Sequence, residues 1–202
     1  MTPTPINWHW NLDAPLAFVD FEAASRVNLH DEGSHAYVRD ASTRLLSAVW
    51  IVPSGAGDER VTWVPRPPRG LNAAIPGVVT GDAVPDVVRR LAETHTWVAH
   101  NAEGFDAMLW AALYPDIRPL WMDSMHLCRV AGMPASLDEA AKTLGVPGKD
   151  EDGAKVMKML TTRPDAVGTV PLWKKLLAYN TQDVETLVGL WSRVSEVLVC
   201  ST

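Results

Sequence analysis

Cysteine, long apolar runs and positive charge are all in short supply in this 202-residue sequence, and each shortage excludes something. The two cysteines, Cys128 and Cys200, have no CxxC spacing and no histidine-rich surroundings, so neither a disulfide framework nor a structural zinc site is indicated and both read as reduced thiols. No stretch approaches the roughly 18 apolar residues of a membrane span. The start MTPTPINWHWNLDAP lacks the basic patch and apolar run of a secretory signal, so the chain reads as cytoplasmic, with no membrane contact. Lys+Arg 18 against Asp+Glu 24 leaves a net charge of −6, too little positive field to hold duplex nucleic acid, so any nucleic-acid contact must be local. Tyrosine and phenylalanine number 3 each, whereas the 9 tryptophans are many, scattered rather than periodic, and assigned mostly to the core with a minority left for stacking.

What is present is the composition of a folded domain. Hydrophobic residues at 47%, charged residues at 21% and a mean hydropathy of −0.02 exclude a disordered tail and a collagen-like repeat. The length suits one large domain, placed at residues 16–202 behind an N-terminal extension of residues 1–15. Apolar runs predict strands at Leu16 to Phe21, Ser34 to Val38 and Leu45 to Val52, with a short one at Arg60 to Val64 inside a Pro/Gly-rich loop. These early strands suggest a meander. Beyond them strands and helices alternate: a helix over Val84 to Glu93, a strand at Trp97 to His100, a helix at Phe105 to Leu113, a strand at Leu120 to Met122 and a helix at Ser124 to Ala131. Ser136 and Glu139 have capping-box spacing for a helix ending at Gly145, and a further helix is expected near Asp152 to Leu160. Apolar residues from Leu172 to Leu198 keep a 3.6-residue period, which predicts a long terminal helix. The class expected is α/β, a mixed central sheet flanked by helices.

Three short patterns stand out chemically. Asp20 and Glu22 lie two apart at the end of the first strand, so both carboxylates share a face; such a pair disfavours its own ionisation unless a cation lies between. Alone, a D-x-E is more often a strand end with solvated acids. In VAHNAEGFDAMLW a buried strand ends at His100 and Asn101, and a helix opens with Phe105 and Asp106. Tyr179 and Asp183 stack a phenol and a carboxylate at i and i+4 on the terminal helix, where an unpaired buried acid is costly.

In order and spacing these three patterns resemble the exonuclease motifs of the DEDDy branch of the DnaQ-like family, whose fold is RNase H-like. Asp20, Glu22, Asp106, Tyr179 and Asp183 fill its five positions. The stretches FVDFEAAS, WMDSMHLCRVAGMPASLDEAAKTLGV, GAKVMKML and WKKLLAYNTQDVETL extend the likeness over most of the chain toward the proofreading domain of phage-type family A DNA polymerases. A free-standing exonuclease and a domain separated from its polymerase both remain open. One departure is visible: Asn101 and Asp106 are five apart where the family pattern has four, which offers Glu103 as a substitute ligand beside Asp106.

The resemblance implies a 3′ to 5′ exonuclease acting on single-stranded or frayed DNA 3′ ends, with two divalent cations, Mg²⁺ or Mn²⁺, held by Asp20, Glu22, Asp106 and Asp183, and with Tyr179 orienting the attacking water. It implies substrate contacts from Asn101, Phe105, the main chain at Ala23 and Ala24, and Lys149, with Lys155 and Lys158 as weaker candidates. A DNA polymerase acting in trans is the implied partner, and a host cytoplasm the compartment if the chain is phage-encoded. Two alternatives stand beside this: an exoribonuclease, and a catalytically silent polymerase-docking or single-strand-binding module. Asp123 reads as a helix cap, and His126 with Cys128 lacks the further partner zinc would need.

Overall fold

Strand β2 (Leu16–Ala24) is the middle strand of a seven-stranded sheet, and its near-continuous apolar run reflects burial on both faces. On one side lie β3 (Arg44–Val52), β4 (Glu59–Val64) and β5 (Val78–Thr80); on the other lie β6 (Thr96–Ala99), β7 (Leu120–Asp123) and β1 (Asn7–Trp8), giving the order β1-β7-β6-β2-β3-β4-β5. Strand β3 runs antiparallel to both β2 and β4, and every other neighbouring pair is parallel. The computed structural model describes residues 6–8, 11, 13–147 and 169–200, with side chains as far as residue 196.

Helices α1 (Leu29–Arg39), α2 (Leu71–Ala74), α3 (Asp86–Thr94), α4 (Ala107–Leu113), α5 (Ser124–Val130), α6 (Leu137–Thr143) and α7 (Val170–Cys200) cover the sheet. This α/β architecture, a mixed sheet with a long C-terminal helix, is consistent with an RNase H-like fold. One face is an aromatic core: Phe21, Trp50, Trp63, Trp97, Trp110 and Trp121 are all buried there, and Trp97 meets Trp110 edge-on at 4.8 Å. The other face is covered by α7 in two places. Trp173, Leu176 and Leu177 pack on Ala24, Leu46, Val64 and Leu71, while Val184, Leu187, Leu190 and Val194 pack on Phe18, Val49, Ile51 and Met122. At Gly189 a Cβ would come within 2.9 Å of Val146 Cγ1, so a larger residue there would force the Val146 side chain to shift.

Several expectations need correction. Ser34 to Val38 is helical, part of α1, because the Asn28 side chain accepts the His30 N–H at 3.0 Å and Asp31 and Glu32 favour the first turn. The helix is kinked at Gly33, which adopts φ +78°. The meander is therefore β2, β3 and β4, with α1 inserted between its first two strands. Ser136 does precede α6, but its side chain makes no capping bond, so the predicted box is not closed. Inside the expected N-terminal extension, Asn7 and Trp8 pair with Leu120 and Trp121 as an edge strand. The helix expected over 152–160 lies outside the described residues.

The aromatic core makes a direct prediction. Trp97 is fully buried and touches Phe21, Trp50, Trp110 and Trp121, so Trp97→Ala should cost about 3–5 kcal/mol in urea unfolding monitored by circular dichroism.

Candidate functional site

Alternation along β2 sends Asp20 and Glu22 to the α7 face while Phe21 stacks on Trp110 at 5.3 Å on the other. Helix α7 crosses that face between its two packing regions, bringing Asp183 to the same place. Ligand oxygens of Asp20, Glu22 and Asp183 lie within 4.8 Å of one another, and this trio could hold a metal ion. Glu22 and Asp183 are buried and Asp20 is half-buried, so mutual repulsion is weakly screened. Hard oxygen donors at this spacing suit a divalent cation of the magnesium type.

Asp106 is 4% exposed and stands beside this trio. Burial holds its carboxyl well above the usual 3.8, and the charges of Asp20 and Asp123 push it the same way, against main-chain hydrogen bonds that include one from Phe21. The local backbone explains how it gets there. Residues Ala102–Asp106 form a π-helical turn, closed by the Ala107 N–H donating to the Ala102 carbonyl five residues back. At the end of this wider turn Asp106 is buried. Glu103 points elsewhere: it is exposed and pairs with His126 Nε2 at 3.0 Å. Asn101 adopts the left-handed conformation at φ 68°, and its side chain folds over Gly104, where an added Cβ would sit 2.2 Å from Asn101 Oδ1.

Asp123 is the cap expected of it, and more. It accepts the Met125 N–H at 2.9 Å at the start of α5, and also the N–H groups of Asn101 at 3.1 Å and Glu103 at 3.0 Å, bracing the π-turn. His100 is engaged through both ring nitrogens, with Ser124 Oγ at 2.9 Å and the Ala135 carbonyl at 2.7 Å. Cys128 is buried.

Asn180 is the residue that reading the sequence passed over. It is fully buried, and its Nδ2 donates to Asp20 Oδ2 at 2.6 Å and to the Asp20 carbonyl at 3.2 Å, while its Oδ1 accepts from Ser47 Oγ at 3.0 Å. Both acceptors belong to Asp20, so the amide nitrogen must face it. Ser47 is the cross-strand partner of Glu22, so β2, β3 and α7 are tied together at the acidic trio. The signal was legible in principle: Asn180 falls on the apolar stripe between Leu177 and Val184, where a polar side chain needs a buried partner.

The remaining predicted contacts separate. Ala23 and Ala24 are buried and register with Leu45 and Arg44 of β3, past an irregularity after Glu22. Phe105 is half-buried against Tyr37 of α1 at 5.6 Å. Burial pushes the Tyr37 phenol above its usual 10, and the nearby Glu22 charge adds to this. Tyr179 is half-buried one turn before Asp183. Lys149, Lys155 and Lys158 lie outside the described residues.

No protein-family model matches the chain, and no curated protein matches it. Among solved structures, one described as "apo form of the nuclease" is similar over 91% of this chain and 84% of its own, at 10% sequence identity and a TM-score of 0.42. Among the described residues, no helix is long and apolar enough to cross a membrane.

Two predictions follow from these contacts. Asn180→Ala strips Asp20 of a charge-assisted bond and strands Ser47, and should lower unfolding free energy by about 1.5–3 kcal/mol in EDTA. Asp106 favours its proton in the folded state, so the stability it confers is complete below the unfolded value near 3.8 and is lost as pH rises through the raised value. Asp106→Asn should therefore raise the melting temperature of the metal-free protein at pH 8 and leave it nearly unchanged near pH 4.

Proposed function

We propose that this chain is a divalent-cation-dependent 3′ to 5′ exonuclease that shortens single-stranded or frayed DNA 3′ ends and releases nucleoside 5′-monophosphates. The observation that carries the reading is the meeting of Asp20, Glu22 and Asp183 oxygens within 4.8 Å, from stretches of chain some 160 residues apart, with two of the three acids buried. Evolution has no stability motive for pressing these charges together, since their repulsion opposes folding unless a cation offsets it.

A pair of Mg²⁺ or Mn²⁺ ions, when bound, lowers the pKa of a bound water and stabilises the leaving 3′ oxygen. The chain's own residues divide the remaining work. Asn180 holds one oxygen of Asp20 and so sets the direction of the other. Glu22 and Asp183 complete the cation-binding face, and Asp106 adds a carboxyl beside Asp20. Tyr179, on the same helix as Asp183, donates a hydrogen bond that orients the attacking water; an ordinary phenol keeps its proton at neutral pH and so acts as a donor rather than as a base. Asn101 and Phe105, set around the π-turn, receive the terminal nucleotide. DNA is favoured over RNA because the likeness outside the motifs is to polymerase proofreading domains.

The alternative of a catalytically silent polymerase-docking or single-strand-binding module is separated from this reading by a cleavage assay. Incubation of a 5′-labelled single-stranded DNA with Mg²⁺ should yield a ladder shortening from the 3′ end, abolished by EDTA. Asp20→Ala and Asp183→Ala should reduce the rate by roughly two orders of magnitude or more. Tyr179→Phe should reduce it on the order of a hundredfold without loss of folding. Faster loss of a matched RNA would change the substrate, and intact DNA and RNA in both Mg²⁺ and Mn²⁺ would overturn the proposal.

A further inference from the structure

Strands β2 and β4 run in one direction and β3 in the other, so the end of β2, the start of β3 and the end of β4 share one edge of the fold. Each carries an arginine there: Arg26 just past β2, Arg44 at the first position of β3, and Arg66 just past β4. The three line a cavity of about 530 Å³, a size suited to a small ligand or one nucleotide unit, together with Ser42, Asp82 and Tyr114. Three guanidinium groups face one lining carboxylate, in a chain whose net charge is −6.

Asp82 Oδ1 lies 3.2 Å from Arg66 Nε, but both side chains are mostly exposed, so water screens the pair and an incoming anion can exchange for it. Asp40, beside Arg26, accepts from the Ser42 N–H at 2.8 Å and from the Ser42 hydroxyl, and these bonds hold its carboxyl below the usual range more than the arginine does. Ser42 Oγ also accepts the Arg26 N–H at 2.8 Å, which fixes the turn carrying that arginine. The Tyr114 ring, which also lines the cavity, is held by Trp110 at 4.6 Å and Trp63 at 5.5 Å, a braced aromatic face beside the positive charge.

We propose that the Arg26, Arg44 and Arg66 cavity is a phosphate-binding site for a single-stranded nucleic acid, separate from the acidic trio. Guanidinium forks match phosphate oxygens two at a time, and the Tyr114 ring offers a stacking face for the adjoining base or sugar. The four residues from Glu22 to Arg26 span at most about 14 Å, so the cavity lies within that distance of the acidic trio along the chain. The same chemistry would accept the phosphate of a free nucleotide, and the test separates the two sources. The inference stands on the cavity and takes from the nuclease reading only the choice of probe.

Anisotropy of a fluorescein-labelled oligothymidylate, measured in EDTA so that no cleavage occurs, reads the site directly. Arg44→Gln combined with Arg66→Gln should weaken binding about tenfold, and the slope of log affinity against log salt should fall by about 1.4, at about 0.7 per arginine on a single strand. Arg44→Lys, which keeps the charge, should retain most of that slope, and an unchanged melting temperature shows that the variants fold. If the oligonucleotide is unaffected but thymidine monophosphate or inorganic phosphate protects the wild type and not Arg44→Gln against heat, the site is confirmed for a free phosphate source. If neither ligand responds to the arginines, the site is refuted. Arginine-dependent binding without any cleavage in Mg²⁺ would end the nuclease reading and leave this one standing; cleavage with arginine-independent binding would do the reverse.

Discussion

Repulsion among Asp20, Glu22 and Asp183 is the constraint to which much of the surrounding structure answers. Three acids with oxygens inside 4.8 Å tend to spread apart, and two of them are buried where water screens poorly. Helix α7 resists that spreading because it is anchored on both sides of the acids. Trp173, Leu176 and Leu177 fix it before them, and Val184, Leu187, Leu190 and Val194 fix it after. Two cores flanking a polar crossing make a stiffer hold than one core beside it, since the helix cannot pivot away from the sheet without opening both. The Asn180 amide adds a direct tie at the crossing itself, and its two bonds to Asp20 orient the carboxylate as well as restraining the helix.

A second constraint governs how Asp106 reaches the same neighbourhood. An added residue in an ordinary helical turn rotates everything after it by about 100°, which would swing a buried carboxyl toward solvent. Here one turn is widened to the π form, and α4 beyond it keeps Leu109 and Trp110 in the aromatic core. Such turns are poor in energy and need bracing. Asp123 supplies it by accepting two N–H groups from the turn, and Gly104 makes room for the Asn101 side chain. The same Asp123 charge raises the proton affinity of Asp106, so the brace and the electrostatics of the site are linked.

How much of this was legible beforehand depended on whether the information was periodic. Strands β2, β3, β6 and β7 and helix α7 announced themselves through apolar runs or a sustained 3.6-residue repeat, and the D-x-E and Y-x-x-x-D spacings marked acids on known faces. The second half of α1, Ser34 to Val38, reads as a strand because the kink at Gly33 disrupts the helical period, and the helix signals, the Asn28 cap with Asp31 and Glu32, lie before it. The edge strand Asn7–Trp8 carries two residues, too few for any pattern, and exists because β7 offers an unpaired edge. Asn180 and Asp123 act through partners 160 and about 20 positions away, which a local reading does not connect.

Charge shows the same limit from the other direction. A net of −6 argues against nucleic acid when the chain is treated as a uniform sphere, yet the potential a strand meets is set by where charges sit. Arg26, Arg44 and Arg66 are 18 and 22 positions apart and form no basic run, but antiparallel pairing returns all three to one end of the sheet. Among the described residues there, Asp40 is held by the Ser42 turn and Asp82 pairs with Arg66. An acidic protein can therefore keep a positive mouth beside a carboxylate centre.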